Sequence, residues 1–243
     1  MQYALKTNIG KRAENEDLAR IPRGNEAVPL IAVSDGMGGH AAGATAAKLV
    51  ILGLEEELPH LYDDDPIRFL KRAISRVNLD VYRTAEDDAS LRGMGATLVC
   101  ALLYSNRFIA ANVGDSRIYH FDGEQLTQVS RDHTLVQLLV DDGEITPEEA
   151  RVHPRRNIIT RAMGTGVRTD IDIFDRTWRE DDILLLCSDG LSGVLTQDGM
   201  RDILAAAPDL EQAANALIQA ALDACASDNI TVVLARCSGG QCA

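Results

Sequence analysis

The amino-acid sequence predicts an α+β fold built on antiparallel β-sheets. Predicted strands occur in blocks rather than in strict alternation with helices, which favours antiparallel sheets over a doubly wound parallel sheet. The dipeptide Asp122-Gly123 is a strong hairpin signal between the last two strands of one block. We therefore expect the middle of the chain to form an antiparallel meander, with strands at residues 97–103, 107–111, 116–121 and 125–129.

The first third of the chain predicts an extended start and two helices. Residues 1–20 are interpreted as an extended segment followed by a charged loop. Asp65-Pro66 predicts a helix start, because aspartate can cap the first turn and proline suits the first helical position. Apolar residues recur at spacings of three and four, as in amphipathic helices, along one segment (Ala44, Ala47, Val50, Ile51, Leu54, Leu58) and a second (Ile67, Leu70, Ile74, Val77, Val81).

The second half of the chain predicts shorter elements. Short helices are expected from Thr134 and near Pro147, within the least regular region of the sequence. Asp209 and Gln212 resemble a capping box that begins a longer helix. We predict that helix over residues 210–225, with strands at 183–187 and 230–235.

Length and composition predict one globular domain that spans residues 1–243. Hydrophobic residues make up 46% of the chain and charged residues 25%, an ordinary globular balance. No internal repeat or low-complexity linker divides it. The net charge of −13 argues against nucleic acid or an anionic membrane as the main partner and suits a protein that binds cations.

Cysteine usage and the absence of long apolar runs predict a cytoplasmic location. The five cysteines are odd in number and include no Cys-x-x-Cys pair, which indicates a reduced protein without a zinc site. Cys100 and Cys187 lie in apolar runs, where a free thiol packs as a small hydrophobe. The first residues contain no apolar run of signal-peptide length, and no stretch reaches the ~18 apolar residues of a membrane helix.

The most informative stretch is residues 31–40, Ile-Ala-Val-Ser-Asp-Gly-Met-Gly-Gly-His. A strand-like run ends at Asp35, and a glycine-rich corner leads directly into the first helix. Glycines lack Cβ and tolerate positive φ, so the backbone can pass close to whatever Asp35 holds. By itself the stretch is more typical of a tight strand-to-helix turn, because short motif matches are often false.

Three further aspartates occupy comparable positions. Asp189 follows a predicted strand and precedes glycine, Asp228 directly precedes a strand, and Asp115 lies in a predicted turn between strands. Strand ends at one sheet edge can bring such residues together, and ionised carboxylates a few ångströms apart repel unless a cation lies between them. Oxygen ligands select a hard divalent ion, Mg²⁺ or Mn²⁺. Any one of these aspartates alone would be interpreted as a solvated turn residue.

Seven short motifs occur in a fixed order along the chain: Arg12-x-x-Asn15-Glu16-Asp17, residues 35–40, Met94-Gly95-Ala96-Thr97, Gly114-Asp115-Ser116-Arg117, Asp132-His133, Ser188-Asp189-Gly190 and Asp228-Asn229. Each motif is weak alone, whereas the ordered set is specific. Together they resemble the metal-dependent serine/threonine protein phosphatases of type 2C (PPM family) in their compact bacterial form. The resemblance runs from about residue 6 to residue 236.

The resemblance implies an architecture and a metal centre. Two antiparallel sheets would form a central β-sandwich flanked by helices (α-β-β-α), with a variable flap at about residues 140–165. Two Mn²⁺ or Mg²⁺ ions would occupy the active site, with a third, weaker site in bacterial members. The implied ligands are Asp35 for both ions, the Gly36 carbonyl for the second, Asp189 and Asp228 for the first, and Asp115 with Asp189 for the third.

The resemblance also implies a mechanism. Water or hydroxide that bridges the two ions would attack phosphorus directly, without a phosphoenzyme. Arg12 matches the phosphate-binding arginine, and Glu16 and Asp17 match residues that reach the metals mainly through water. The general acid stays open between His40 and a metal-bound water, because eukaryotic relatives carry a histidine where this chain has Met37.

The implied function is hydrolysis of phosphoserine and phosphothreonine on proteins, opposite a bacterial Ser/Thr kinase, by a monomer. Two alternatives are a catalytically inactive relative that only binds a partner, and an aspartate-nucleophile phosphatase. The implied metal ligands are all present, which disfavours the first, and an Asp-x-Asp signature is missing at residues 35–37, which disfavours the second. Four flap arginines could contact a phosphopeptide or balance nearby acids: Arg151, Arg155, Arg156 and Arg161.

Overall fold

The computed structural model describes residues 1–24, 26–39, 41–63 and 65–238. In chain order its strands are β1 (Gln2–Asn8), β2 (Asp17–Arg20), β3 (Leu30–Met37), β4 (Gly95–Ala96), β5 (Leu98–Leu103), β6 (Arg107–Val113), β7 (Arg117–Phe121), β8 (Leu126–Gln128), β9 (Asp172–Thr177), β10 (Ile183–Cys187) and β11 (Ile230–Arg236). The helices are α1 (Ala41–Glu57), α2 (Pro66–Asp87), α3 (Leu135–Asp141), α4 (Pro147–Val152), α5 (Asp189–Ser192), α6 (Gln197–Ala206) and α7 (Leu210–Asp223), with short 3-10 turns at Leu58–Asp63 and Ala89–Leu91.

These strands form two antiparallel sheets. The first has the order β1-β11-β10-β7-β8, so the first and last strands of the chain pair with each other, Gln2 opposite Arg236. The second has the order β2-β3-β5-β6-β9, with the two-residue β4 paired to the end of β3. Each strand pair is antiparallel, which confirms the predicted sheet type.

The two sheets pack face to face around an apolar layer. Side chains at alternate positions of β3 and β5, such as Val33 and Val99, meet alternate side chains of β7, β10 and β11, such as Ile118, Leu186 and Val233. Alternation puts the remaining residues of the same strands on the outer faces. Both faces of each sheet are therefore buried, which explains why these strands are apolar almost throughout.

Helices cover both outer faces. Helices α1 and α2 pack on the second sheet, and α6 and α7 pack on the first. This arrangement is the α-β-β-α sandwich that the resemblance implied. Within α1 the buried face is centred on Ala46 and Val50, while Ala44 is only partly buried, so the predicted stripe was wrong at that residue.

Capping side chains begin the helices mostly as predicted. Asp65 accepts a hydrogen bond from the Arg68 N–H at the start of α2, and Thr134 caps α3. Asp209 caps α7 by accepting from the Gln212 backbone N–H, and the Gln212 side-chain amide also donates to the Asp209 carboxylate. In a capping box the Gln212 side-chain oxygen would instead accept from the Asp209 backbone N–H. The pair is therefore a cap with a side-chain bridge, and the predicted capping box was wrong in that detail.

The predicted meander was wrong. Strands β5 and β6 pair in the second sheet, whereas β7 and β8 pair in the first. The chain crosses between the sheets at residues 114–116, a segment that reads as a simple turn in the sequence. The strand that carries Asp35 also continues to Met37, because its last two residues pair with β4. Asp35 therefore lies inside β3.

The flap region, at about residues 140–165, contains the end of α3 and all of α4, and its returning segment is hydrogen-bonded to the body. The backbone N–H of Leu135 donates to the Ile158 carbonyl, and that of Thr160 to the His133 carbonyl, each at 2.8 Å. Met163 and Ala96 exchange two backbone hydrogen bonds. No helix in the described part of the chain is both long enough and apolar enough to cross a membrane.

Candidate active site

The predicted site residues converge on one cavity at an edge of the sandwich. Its volume is about 320 Å³. Strand β3 contributes Asp35, the crossing between the sheets contributes Asp115, the start of α5 contributes Asp189, and the residue two before β11 contributes Asp228. The loop between β1 and β2 supplies the remaining predicted residues on the wall, Arg12 and Glu16.

Two predicted residues lie beside this cavity, and one cannot be placed. Gly36 is buried in β3, and a Cβ there would lie 2.1 Å from the Gly43 carbonyl oxygen, so only glycine fits against α1. Asp17 begins β2, and its carboxylate accepts a hydrogen bond from the Ser188 hydroxyl at 2.7 Å. His40, the predicted general acid, lies outside the described residues.

Thr97 fixes the position of Asp115 relative to Asp35. Its hydroxyl accepts a hydrogen bond from the Asp35 N–H (2.9 Å) and lies 2.7 Å from the Ser116 hydroxyl. Its backbone N–H donates to the Asp35 carbonyl at 2.8 Å. The connection that carries Asp115 is thereby fixed to the strand that carries Asp35. In the sequence Thr97 belongs to a motif but nothing indicates its function, since a hydroxyl contact across 62 residues leaves no local pattern.

Asn229 fixes the loop that carries Arg12 and Glu16. Its side-chain amide donates to the Ile9 and Glu14 carbonyls, at 2.9 and 3.0 Å, and its side-chain oxygen accepts from the Glu16 N–H at 2.8 Å. Because Asn229 follows Asp228 directly, this aspartate and the loop are positioned by one residue. The sequence carried a signal for it, the Asp-Asn pair before β11, but not its three contacts.

Glycines allow the chain segments around the site to approach one another closely. A Cβ on Gly190 would lie 2.0 Å from the Asn229 carbonyl oxygen, and one on Gly10, where φ is +60°, would lie 2.1 Å from the Asp228 carbonyl oxygen. Neither contact is possible for a residue with a side chain. These glycines therefore bring Asp189, Asp228 and the Arg12 loop together.

Four carboxyls in and beside the cavity have raised pKa values. Burial, followed by repulsion from neighbouring acids, raises the pKa of Asp35 well above its usual range. Burial and repulsion from Asp189 raise the pKa of Asp115, whose residue is 8% exposed, to about 7. Burial is also the main cause that raises the pKa values of Asp17 and Asp189 to about 6. Such a group of carboxylates favours a bound cation.

The donor set suits a hard cation. One carboxylate oxygen of Asp189 and one of Asp17 are buried without a hydrogen-bond partner, and such oxygens are costly unless something binds them. The oxygens around this cavity are ligands that Mg²⁺ and Mn²⁺ prefer. Among the described residues, no three His, Cys, Asp or Glu side chains already form a closed ligand set. Hydrogen bonds engage some of these oxygens instead.

One such bond joins two predicted site residues. The Arg12 guanidinium donates to one Asp228 carboxylate oxygen at 2.7 Å, and the other oxygen accepts from the Asn229 N–H at 2.9 Å. This bond to Asp228 raises the pKa of Arg12. The Arg12 side chain is 57% exposed, so it lies at the mouth of the cavity.

His133 supports the crossing between the sheets. Its Nδ1 accepts a hydrogen bond from the Gly114 N–H at 3.0 Å, and its Nε2 lies 3.1 Å from an Asp172 carboxylate oxygen. Because Nδ1 is an acceptor, the ring is neutral with its proton on Nε2. Burial lowers its pKa, which is consistent with that state. His133 thus positions the segment beside Asp115.

A β-sandwich that presents four aspartates and an arginine around one cavity fits one class of protein, the metal-dependent hydrolases of phosphate esters. The family model that describes protein phosphatase 2C matches residues 6–225. The serine/threonine phosphatase stp of Listeria welshimeri is 37% identical over 239 residues, which cover 96% of this chain and 95% of that protein.

Solved structures of serine/threonine phosphatases are similar to this chain in both fold and sequence. Serine/threonine phosphatase Stp1 from Staphylococcus aureus has a TM-score of 0.90 and 37% identity, and the match covers 98% of this chain and 95% of that one. The catalytic domain of the serine threonine protein phosphatase PstP, in complex with two manganese ions, has a TM-score of 0.81 and 38% identity, with 97% of each chain covered.

The chain belongs to the protein phosphatase 2C family. It is therefore a phosphoprotein phosphatase, a phosphoric monoester hydrolase whose family cofactor is Mn²⁺ or Mg²⁺. The predictions of family, fold class, enzyme class and cofactor are confirmed. The roles of individual site residues stay predictions.

Proposed function

We propose that this chain hydrolyses phosphoserine and phosphothreonine on proteins at the cavity lined by Asp35, Asp115, Asp189 and Asp228. The observation that supports the proposal is the convergence of these four carboxylates with Arg12 around one cavity. In the sequence, neighbouring aspartates of this set are separated by at least 39 residues (Asp189 to Asp228). The names of the relatives support specificity for serine and threonine esters.

The resemblance to the family assigns the residues that would hold the metals, and the carboxylates around the cavity fit that assignment. Asp35, Asp189, Asp228 and the Gly36 carbonyl would bind the two principal ions, and Asp115 with Asp189 would bind a third. Glu16 and Asp17 would contact the metals through water. When bound, such ions supply a water acidified for direct attack on phosphorus and offset the charge of the phosphate oxygens.

Arg12 would bind the phosphate group. A planar guanidinium can donate two parallel hydrogen bonds to phosphate oxygens, and its exposed position at the cavity mouth lets it meet an incoming phosphoprotein. His40 is proposed as the acid that protonates the serine or threonine oxygen as it leaves, because imidazole titrates near neutral pH.

Phosphate release from a phosphothreonine peptide tests the proposed function. We expect release that depends on added Mn²⁺ and that falls sharply in Asp189→Ala. Calorimetric titration with the same peptide, in wild type and variant, tests whether binding persists. Binding of the peptide by the wild type without phosphate release at saturating Mn²⁺ would instead favour an inactive, partner-binding relative.

The proposal extends to the setting of the enzyme. Its substrates would be phosphoproteins made by a Ser/Thr kinase, and it would act in the cytoplasm as a monomer with a single catalytic domain. The net charge of −13 supports a protein partner over nucleic acid or an anionic membrane. Light scattering at micromolar concentration tests the oligomeric state, where a mass near 26.3 kDa is expected.

A further inference from the structure

A second cavity lies under the flap, next to the active site. Its volume is about 310 Å³, and it is enclosed by α3 and α4 on one side and by β7, β8 and α5 on the other. Asp115 and Asp189 line both cavities. The space corresponds to roughly ten water molecules at ~30 Å³ each, enough for one side chain of a bound protein.

The charged group at the base of this second cavity is already satisfied. Asp132 accepts three hydrogen bonds from the Arg117 guanidinium, at 2.6 to 3.0 Å. Arg117 also donates to the Tyr119 hydroxyl at 3.1 Å. The amides of Gln128 and Gln137 donate to nearby oxygens. These residues form the wall and leave few donors for a ligand.

Two arginines on the rim differ from this wall. Arg151, in α4, makes one long contact of 3.3 Å, to the Leu195 carbonyl. Neither Arg151 nor Arg156 forms an ion pair with any carboxylate in the described ranges. Arg161, by contrast, pairs with Asp172 at 3.1 Å. In a chain with net charge −13, these two guanidinium groups line a cavity beside the active site and can bind an anionic ligand.

We propose that Arg151 and Arg156 form a substrate subsite for an anionic side chain that flanks the scissile phosphoresidue. The inference rests on the proposed function of the neighbouring cavity. A glutamate, an aspartate or a second phosphate a few residues from the phosphothreonine would enter under the flap while the phosphothreonine occupies the catalytic cavity. The arginine forks match the carboxylate and phosphate geometry of such groups. The preferred substrates are therefore phosphoproteins whose sites are acidic.

Matched peptides test the subsite. One phosphothreonine peptide carries glutamates within three residues on both sides, and its partner carries glutamines at the same positions. Because both arginines are exposed, each ion pair contributes modestly. We expect the wild type to show a kcat/KM roughly three- to tenfold higher for the glutamate peptide, and the ratio to shrink in 0.5 M NaCl.

Substitutions distinguish a specific effect of Arg151 and Arg156 from a general effect of positive charge near the active site. Arg151→Gln/Arg156→Gln is expected to hydrolyse both peptides equally. Arg155→Gln, a neighbouring exposed residue that does not line the cavity, is expected to keep the preference. All three proteins should hydrolyse p-nitrophenyl phosphate at the same rate, since this small ester does not reach under the flap.

The outcomes distinguish the two proposals. If the wild type hydrolyses neither p-nitrophenyl phosphate nor either peptide with Mn²⁺, the proposed function itself fails. If it hydrolyses both peptides with equal kcat/KM, the subsite is wrong while the function stands. The subsite is also wrong if the double variant keeps the preference, or if Arg155→Gln loses it equally.

Discussion

The layer between the two sheets and the acidic edge of the sandwich are built from the same strands but obey opposite rules. Val33 lies in the apolar layer, and Asp35 lies two residues further along β3. Leu186 lies in the layer, and Asp189 follows the end of β10. The layer gains free energy by removing apolar surface from water. The edge gathers buried carboxyls whose pKa values burial and mutual repulsion raise.

This difference explains how the edge can exist. Acidic groups that repel one another would separate on a flexible segment, whereas here Asp35 lies within strand β3 and the other three aspartates lie on short segments next to strands of the sandwich. Thr97 and Asn229 add hydrogen bonds that fix the connecting segments. The apolar layer therefore stabilises the fold, and this stability offsets the repulsion among the carboxylates at the acidic edge. Substitutions in the two regions should have opposite consequences.

The largest expected effect is on activity, from Asp189→Asn. Removing one carboxylate should lower kcat by at least ~100-fold, more than loss of an outer partner of a metal ligand typically does. The metal-free protein should be no less stable, because one buried, repelled charge is lost. Phosphate release with Mn²⁺ and thermal unfolding in EDTA measure the two effects. Activity within tenfold of wild type would contradict the proposed role of Asp189.

The reverse pattern is expected for Leu186→Ala in the apolar layer. Leu186 is fully buried, so its truncation should lower the free energy of unfolding by about 2–5 kcal/mol. The folded fraction should keep its kcat. Leu186→Met, which keeps most of the volume, should cost less than about 1.5 kcal/mol. Urea unfolding measures both, and a kcat that falls in proportion to stability would show that the two regions are not separable.

The sequence predicted most elements but not their distribution between sheets. Apolar periodicity reports how buried a segment is, and it does not report which partner strand it pairs with. For this reason the crossing at residues 114–116 was predicted as a turn between two strands of one sheet. Strand β9 was missed because it is an edge strand with charged residues such as Asp175 and Arg176, and it lies only partly buried. Helix α6 and strand β2 were also missed.

The candidate site was predictable to a different degree. Asp35 and Asp189 each stand beside glycine after an apolar run, and the ordered motifs supplied the remaining members by resemblance. The contacts that position these acids could not be predicted. Asn229 acts through its side chain on a loop more than 200 residues away, and only the closed sandwich, with β1 paired to β11, brings them together.

A smaller effect is expected from substitution of Arg12 at the cavity mouth, which should lower catalysis and leave stability unchanged. Arg12→Ala should lower kcat/KM by about 10- to 100-fold, since a charge-assisted hydrogen bond is worth ~1.5–3 kcal/mol. Arg12→Lys should recover only part of that, because lysine cannot bind two oxygens at once. Unfolding should be unchanged, as exposed ion pairs contribute little. Equal activity of the lysine variant and wild type would rule out a forked contact.

The smallest expected effect is the pH dependence of stability without metal. Burial and repulsion raise the pKa of Asp115 to about 7 and those of Asp17 and Asp189 to about 6, above the ~3.9 of an unfolded chain. Between about pH 4 and 7 the native state thus binds more protons than the unfolded state, so stability is lost as pH rises. In EDTA, Tm should fall by a few degrees from pH 5.5 to 8.

Mn²⁺ competes with these protons, so it should raise Tm more at pH 8 than at pH 5.5. Asp115→Asn should flatten the metal-free profile, and an unaltered slope in that variant would show that charges elsewhere in this acidic chain set it.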